Sequence, residues 1–240
     1  MLPHNFTVLP AIDVLDGRVV RLAQGIRSQV TVEGGDPVAA AERFAAEGAE
    51  WLHLVDLNGA FGGSPTPGLV RDVVDASAIP VQVGGGYRTI AAIEEALAAG
   101  AGRVLVGSAA LDPGFLPDAV RRFGEQLVVA IDARSGNVAV EGWTVESELS
   151  ASELAARCRD AGVARLLVTS TSRDGSLAGP DLDLLTEMLE TSRLPVLAAG
   201  GVASLDDLRT VRDLGCEGAI AGSALWRGRF TLAEAVSLQG

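Results

Sequence analysis

The second half of this chain repeats the first, and the repeat limits the folds open to the sequence. The segment from Pro80 reads PVQVGGGYRTIAAIEEALAAGAGRVLVGSAA, and it aligns without a gap to the segment from Pro195, which reads PVLAAGGVASLDDLRTVRDLGCEGAIAGSAL. The decapeptide from Ala11, AIDVLDGRVV, similarly resembles AIDARSGNVAV from Ala130. Two similar halves close naturally into one ring of strands with two-fold pseudosymmetry.

Short runs of valine, isoleucine and leucine alternate with longer segments of helical periodicity. This alternation is typical of parallel strands joined by crossover helices. The pattern predicts eight strands, at Thr7–Asp13, Glu50–Leu57, Pro80–Gly84, Arg103–Val106, Leu127–Asp132, Arg165–Thr169, Pro195–Ala199 and Gly218–Ala221. The predicted fold class is therefore α/β, a single (β/α)8 TIM barrel of two half-barrels, with residues 1–240 as one domain. An open doubly wound sheet is the alternative, and the internal repeat argues against it.

The predicted helices carry their own start and stop signals. Asp36 with Pro37 and, later, Ser204 are capping residues placed before helical segments. Glycines end several helices just before the next strand, at Gly48, Gly100, Gly162 and Gly215.

Charge and composition exclude several functional classes. A net charge of −12 opposes binding to nucleic acid, and the 48% of hydrophobic residues include no run long enough to cross a membrane. The first residues, MLPHNFTVLPAID, lack the features of an export signal, so we expect a cytoplasmic protein. Cys158 and Cys216 stand far apart, and no cluster has metal-ligand spacing, so we expect buried thiols and no metal.

Glycines follow four of the predicted strands in symmetric register. In barrels of this kind the site lies at the carboxyl ends of the strands, where free backbone N–H groups at a helix start can bind an anion. A glycine alone more often solves a backbone problem, but a hydroxyl recurs beside it in both halves. Two equivalent anion sites, and hence a small-molecule ligand with two phosphates, are predicted at Gly85, Gly86, Gly107 and Ser108 and at Gly200, Gly201, Gly222 and Ser223.

Asp13 and Asp132 occupy equivalent positions in the two halves. We predict that they end the first and fifth strands, which are opposite one another in an eight-stranded ring, so both carboxylates point into one mouth. Two carboxylates in different surroundings can divide acid and base work. A cap on the following turn is the alternative role for each.

The loops after the first, fifth and sixth strands offer further candidates. Thr169, Asp174 and Gly175 lie in the sequence VTSTSRDGSLAGPD, although Asp174-Gly175 is also a common turn dipeptide. Arg21 can clamp a phosphate or carboxylate, and Trp143, in a predicted loop over 133–148, can cover a flat heterocycle. His53 is predicted to be a core residue, with Asp56 the better pocket candidate.

These residues resemble the isomerase of histidine biosynthesis over nearly the whole chain. The resemblance rests on PAIDVLDGRVVRL, HLVDLNGAFGG, VQVGGGYR, VLVGSAAL, EGWTVES, RDGSLAGPD, AAGGVASLDDL and IAGSALW. It implies an Amadori rearrangement of phosphoribosylformimino-aminoimidazole carboxamide ribonucleotide (ProFAR), a bisphosphate, without a cofactor. It further implies Asp13 as base, Asp132 as acid with Asp174 a close competitor, and Thr169 as a hydrogen-bonding residue at the sugar. We expect a monomer.

Three alternative functions accompany this resemblance. The actinobacterial dual-substrate branch also isomerises phosphoribosylanthranilate for tryptophan synthesis, but it is expected to have Ser at position 84 and Arg at position 141, where this chain has Gly84 and Glu141. The cyclase subunit of imidazole glycerol phosphate synthase is expected to have Lys where this chain has Arg21. A non-catalytic barrel that binds phosphometabolites would keep the glycines and lose the carboxylates.

Overall fold

Strands and helices alternate along most of the described chain. The computed structural model describes residues 6–22, 25–140, 142–143 and 145–239. Their strands are Thr7–Leu15 (β1), Arg18–Leu22 (β2), Val30–Gly35 (β3), Leu52–Asp56 (β4), Val81–Gly84 (β5), Arg103–Val106 (β6), Leu127–Arg134 (β7), Asn137–Val140 (β8), Val145–Ser150 (β9), Arg165–Ser170 (β10), Val196–Ala199 (β11) and Gly218–Ala221 (β12).

Helices occupy most of the segments between these strands. They are Pro37–Ala46 (α1), Leu57–Ala60 (α2), Leu69–Ser77 (α3), Ile90–Ala98 (α4), Phe115–Phe123 (α5), Ala151–Ala161 (α6), Leu182–Ser192 (α7), Leu205–Leu214 (α8), Ser223–Trp226 (α9) and Leu232–Val236 (α10), with 3-10 turns at Ser108–Leu111 and Gly124–Gln126. None of these described helices has the length and apolar character needed to cross a membrane.

Eight parallel strands close into a ring. In order they are β1, β4, β5, β6, β7, β10, β11 and β12, and β12 pairs back onto β1 with Leu9 level with Ile220. The closed ring confirms the predicted (β/α)8 barrel and excludes the open sheet. Every predicted strand is present, and its ends lie within two residues of the predicted bounds.

Apolar side chains fill both faces of the ring. The larger layer lies between the strands and the surrounding helices and includes Phe6, Phe44 and Met188, all fully buried. A smaller cluster fills the barrel interior, built from alternate residues of the strands such as Leu9, Leu105, Val128, Leu167, Leu197 and Ile220. Because residues alternate across a strand, the next inward positions along each strand reach the open end of the barrel.

Two antiparallel hairpins extend the ring, and the sequence analysis missed both. β1 continues past Asp13 into β2 through a tight turn at Asp16-Gly17, and β7 continues past Asp132 into β8 through Ser135-Gly136. Both turns have positive φ at both residues (50° and 77°, then 50° and 87°), the geometry that matches strand twist in a two-residue hairpin. The prediction that Asp13 and Asp132 end their strands was therefore wrong. The prediction of a loop over 133–148 was also wrong.

The predicted helix signals are confirmed. The Asp36 side chain accepts from the Val38 N–H with Pro37 in the first turn, and Ser204 forms a reciprocal capping box with Asp207. Gly162 and Gly215 end α6 and α8 in the left-handed conformation, while Gly48 and Gly100 follow the caps of α1 and α4.

Candidate active site

The open end of the barrel, at the carboxyl ends of the strands, holds a cavity with two lobes. The first lobe is lined by Asp13, Arg21, Asp174, Gly175, Gly200, Gly201, Gly222 and Ser223. The second lobe is lined by Asp132, Gly85, Gly86, Gly107, Ser108, Tyr87 and Arg88. Thr169, Trp143 and His53 line both lobes. Of the residues that the sequence predicted for the site, all but Asp56 therefore lie at this one cavity, and the two glycine sets fall in different lobes.

Asp13 is held in the first lobe by an arginine from the adjoining hairpin. Arg21 in β2 donates from Nη1 to Asp13 Oδ2 at 2.5 Å, and both side chains are largely buried, with 7% and 15% of their surface exposed. Burial raises the pKa of Asp13 to about 6, because loss of hydration outweighs the attraction of Arg21, and Asp174 raises it further. The carboxyl group thus exchanges protons near neutral pH, as a general base must.

Asp132 and Asp174 are also buried acids. Burial raises the pKa of Asp132, and hydrogen bonds from Trp143 and Thr169 oppose that shift. Burial likewise raises the pKa of Asp174, opposed by the charge of Arg21 and the backbone N–H of Gly175. Asp132 is level with Thr169 on the neighbouring strand β10, which explains their contact. Three carboxyl groups with raised pKa values therefore face one cavity, from the strands β1 and β7 and from the loop after β10.

Gly85 and Gly201 allow two loops to pass very close to each other. A β-carbon at Gly85 would lie 2.0 Å from the Asp56 carbonyl oxygen, and one at Gly201 would lie 2.1 Å from the Gly179 carbonyl oxygen. Both glycines also have positive φ, of 108° and 86°. The helices expected directly after them begin only at Ile90 and Leu205, behind capping residues, so the prediction of free helix N-termini at these two turns was wrong.

Gly107 and Gly222 each lead directly into a short helical turn, as predicted. A β-carbon at Gly107 would meet no atom within 4 Å, whereas one at Gly222 would lie 2.4 Å from Arg21 Nη2. The neighbouring Ser223 is buried, and its hydroxyl has no hydrogen-bond partner among the described residues; Arg21 Nε is in the same condition. Buried polar atoms normally have a partner, so these two groups point to a ligand in the first lobe.

Trp143 lies between the two lobes, in the turn that follows β8, the second strand of the second hairpin. Its backbone has a φ of 70°, uncommon for a residue with a side chain. The indole ring packs against Gly25, where a β-carbon would approach the ring to 2.5 Å. Trp143 therefore reaches from one hairpin across to the loop of the other, above the cavity.

Asp56 was wrongly expected to line the pocket, and His53 is buried as predicted but also lines the cavity. Asp56 is 3% exposed and lines neither lobe, because its carboxylate accepts from the N–H groups of Asn58, Gly59 and Thr66. His53, expected to be a plain core residue, lines both lobes. Strand alternation is the signal that was overlooked, since His53 is level with Ala11, which also faces the cavity.

Two further arginines near the cavity, Arg88 and Arg134, form hydrogen bonds to other residues of the chain. Arg88, which the sequence analysis did not select, lines the second lobe and donates to the carbonyl oxygens of Gly59 and Ala60 at 3.1 and 3.2 Å. Arg134 instead donates to Thr171 and lines neither lobe. Glu141, on which the expectation about a second substrate rested, lies outside the described residues. No group of three or more potential metal ligands occurs among the residues described.

The fold and the site together define a TIM barrel with acid–base groups placed between two sets of glycine turns. The chain belongs to the family described as histidine biosynthesis protein, whose model matches residues 7–231. It is 48% identical to a protein of Rhodospirillum rubrum over 96% of this chain and 98% of the relative. Relatives from Chloroflexus aurantiacus and Moorella thermoacetica are 46% and 45% identical over 96% of this chain and 97% of each relative. All three are named 1-(5-phosphoribosyl)-5-((5-phosphoribosylamino)methylideneamino)imidazole-4-carboxamide isomerase.

Proposed function

We propose that this chain is the isomerase of histidine biosynthesis that converts ProFAR from an aminoaldose to an aminoketose. The observation that carries the proposal is the placement of Asp13 and Asp132 in two lobes of one cavity, each lobe with its own pair of glycine turns. A substrate with a phosphate at each end fits this arrangement, because each lobe has one glycine turn, at Gly107 or at Gly222, that leads directly into a helical turn and offers its first backbone N–H groups to one phosphate. The names of the relatives support the same substrate.

The proposed rearrangement needs one acid and one base. Asp132 protonates the furanose ring oxygen, the bond from that oxygen to the first sugar carbon breaks, and a protonated imine forms. Asp13 then removes the proton from the second carbon to give an enolamine. The enolamine gains a proton at the first carbon and loses the proton of the second carbon's hydroxyl, and the aminoketone results. Arg21 holds the Asp13 carboxylate in position, and Thr169 forms a hydrogen bond to the sugar as its ring opens. Asp174 is the competitor to Asp132 as acid.

Binding in this proposal is divided between the lobes. Gly200, Gly201, Gly222 and Ser223 hold one phosphate, and the orphaned Ser223 hydroxyl becomes a donor to it. Gly85, Gly86, Gly107 and Ser108 hold the other, with Trp143 over the heterocycle. Gly175 shapes the loop that carries Asp174. The monomeric state and the cytoplasmic location stay predictions.

Conversion of ProFAR by the purified protein tests the proposal directly. We expect the aminoketose to accumulate in the wild type and not in Asp13→Asn at the same protein concentration. Phosphoribosylanthranilate serves as the comparison substrate, and we expect weaker turnover of it. A wild type that binds ProFAR without converting it would instead support the non-catalytic barrel, and formation of an imidazole product from the aminoketose and ammonia would support the cyclase.

A further inference from the structure

His53 and Gln82 form a hydrogen-bonded pair inside the barrel, at the floor of the two lobes. They are level with each other on the neighbouring strands β4 and β5, and Gln82 Nε2 lies 2.9 Å from His53 Nδ1. His53 is 6% exposed and Gln82 is completely buried. No other hydrogen bond from the described residues occupies the imidazole, so Nε2 is the ring nitrogen left for the cavity.

The hydrogen-bond inventory of Gln82 decides which ring nitrogen of His53 carries the proton. With its amide nitrogen donating to Nδ1, Gln82 leaves its carbonyl oxygen and one of its two amide N–H donors without a partner among the described residues. The reversed amide would leave an NH₂ group, with two donors, buried without an acceptor. Unpaired buried donors are rarer than under-used carbonyls, so the first arrangement is favoured. In that arrangement Nδ1 accepts, and the proton of the neutral ring is on Nε2.

The surroundings keep the imidazole uncharged. Burial and the positive charge of Arg21 lower the pKa of His53 to about 3. The charged groups that share the cavity with His53 are Asp13, Arg21, Asp174, Asp132 and Arg88. His53 therefore does not act as an additional acid at neutral pH, and its use lies in hydrogen bonding.

We propose that Gln82 is a positioning residue that holds His53 as the Nε2–H tautomer, so that His53 donates a hydrogen bond to a sugar oxygen of the substrate. The inference rests on the proposed function for the identity of that oxygen. A ligand that joins the two phosphate turns places its sugar carbons between the lobes, where His53 lies. A neutral donor there fixes the hydroxyl of the second carbon while the neighbouring proton is removed, without placing another positive charge beside Arg21.

The tautomer can be observed without any assay of activity. The chain has two histidines, His4 and His53, so a ¹⁵N-histidine-labelled sample gives two imidazoles, which His4→Ala assigns. We expect the wild-type His53 proton on Nε2 and a neutral ring down to pH 5. In Gln82→Glu the carboxylate only accepts, so the proton moves to Nδ1 and the ring protonates at higher pH. Gln126→Glu, the same change at an exposed glutamine, is the matched control and leaves the tautomer unchanged.

Steady-state kinetics with ProFAR complete the test. Loss of one substrate hydrogen bond predicts that Gln82→Glu lowers kcat/KM at least about tenfold and adds an ionisation to its pH profile, while Gln126→Glu matches the wild type. If the buried charge of Gln82→Glu prevents folding, Gln82→Met is measured instead, and we expect a mixed tautomer and a smaller loss of kcat/KM, in proportion to the remaining Nε2–H fraction. Wild-type His53 protonated on Nδ1, or unchanged kinetics in a folded Gln82 variant, would overturn the inference. A wild type inactive on ProFAR overturns the proposed function instead and leaves the tautomer result standing.

Discussion

At the scale of single residues, burial prepares the carboxyl groups of this site for proton transfer. Asp13 sits where desolvation outweighs an arginine 2.5 Å away, so its pKa rises to about 6 in spite of the ion pair. A fully hydrated aspartate has a lower pKa and would be too weak a base. A buried aspartate without Arg21 beside it would have a higher pKa and would hold its proton too tightly. The hairpin that carries Arg21 is thus part of the chemistry.

The first prediction concerns Asp13. Asp13→Asn should lower kcat for ProFAR by at least about a hundredfold with little change in KM, because a lost proton-transfer group costs that much or more. In the wild type the base is active when ionised, so kcat/KM should fall as the pH drops through about 6. Rate measurements from pH 4.5 to 8.5, a range chosen around that pKa, check both effects. Near-normal turnover in the variant would remove Asp13 from the role of base.

The second prediction separates Asp132 from Asp174. Asp132 lies in the other lobe from Asp13, so we expect Asp132→Asn to lower kcat more than Asp174→Asn does. Asp174 raises the pKa of Asp13 through its negative charge. Asp174→Asn should therefore shift the acid limb of the pH profile of kcat/KM to lower pH. Asp132→Asn should shift that limb less. A larger kcat loss in Asp174→Asn would make Asp174 the acid.

Two single residues show where sequence reasoning about the site stops. The sequence correctly selected Asp13, Asp132 and Asp174 as residues that face the cavity, since position relative to a strand end determines that. It could not show that Asp56 turns back onto the N–H groups of α2, because this depends on a side-chain rotamer. The sequence predicted that His53 is buried but not that it lines the cavity, because a buried strand position has the same sequence pattern in the core and at the floor of a site.

At the scale of elements, the glycine turns divide into two kinds that the sequence does not distinguish. Gly85 and Gly201 are required by close backbone contacts with other loops, as their missing β-carbons show. Gly107 faces open space with a φ of −105°. Substitutions at Gly85 and Gly201 are therefore expected to act by distorting the loops themselves.

The third prediction uses this division. Gly85→Ala should lower the free energy of unfolding by about 1–3 kcal/mol, because its β-carbon collides with the Asp56 carbonyl at positive φ. Gly107→Ala should lower the free energy of unfolding less than Gly85→Ala does, because its β-carbon meets no atom within 4 Å, and it should raise KM for ProFAR, because that carbon enters the second lobe. Urea titrations and initial rates measure the two quantities. Equal destabilisation by both substitutions would contradict the division.

The hairpins were predictable in part. Asp16-Gly17 within VLDGRVV is a recognised hairpin signal between alternating hydrophobic residues, and it was passed over because the strand was taken to end at Asp13. Ser135-Gly136 is a weaker signal of the same kind. The contact between Trp143 and Gly25, in contrast, joins residues far apart in the chain and depends on how the two hairpins meet.

At the scale of the whole molecule, the internal repeat made the fold predictable and also distributes the site. Each half supplies one carboxylate from its first strand and one pair of glycine turns from its last two. The local patterns of strand and helix agree with the repeat, so no part of the ring had to be inferred from tertiary contacts alone. The whole chain has a net charge of −12, and the cavity needs local donors such as Arg21 and Arg88 to hold an anion against it.

The last prediction tests whether the two halves act on one ligand. A bisphosphate that occupies both lobes at about one hundred times its Kd should stabilise the fold by about 2.7 kcal/mol. For a chain of this length that corresponds to a rise in Tm of roughly 5–10 °C. Ribose 5-phosphate at the same concentration has one phosphate and fills only one set of turns. Because two contacts linked in one molecule bind more tightly than either contact alone, the Tm shift with ribose 5-phosphate should be far smaller. Thermal unfolding of the wild type and of Gly107→Ala measures both shifts, and the variant should lose most of the bisphosphate effect while keeping the response of the first lobe to ribose 5-phosphate. If the monophosphate stabilises the wild type as much as the bisphosphate does, the ligand uses only one lobe. The two-fold repeat of the barrel would then not correspond to two phosphates in the substrate.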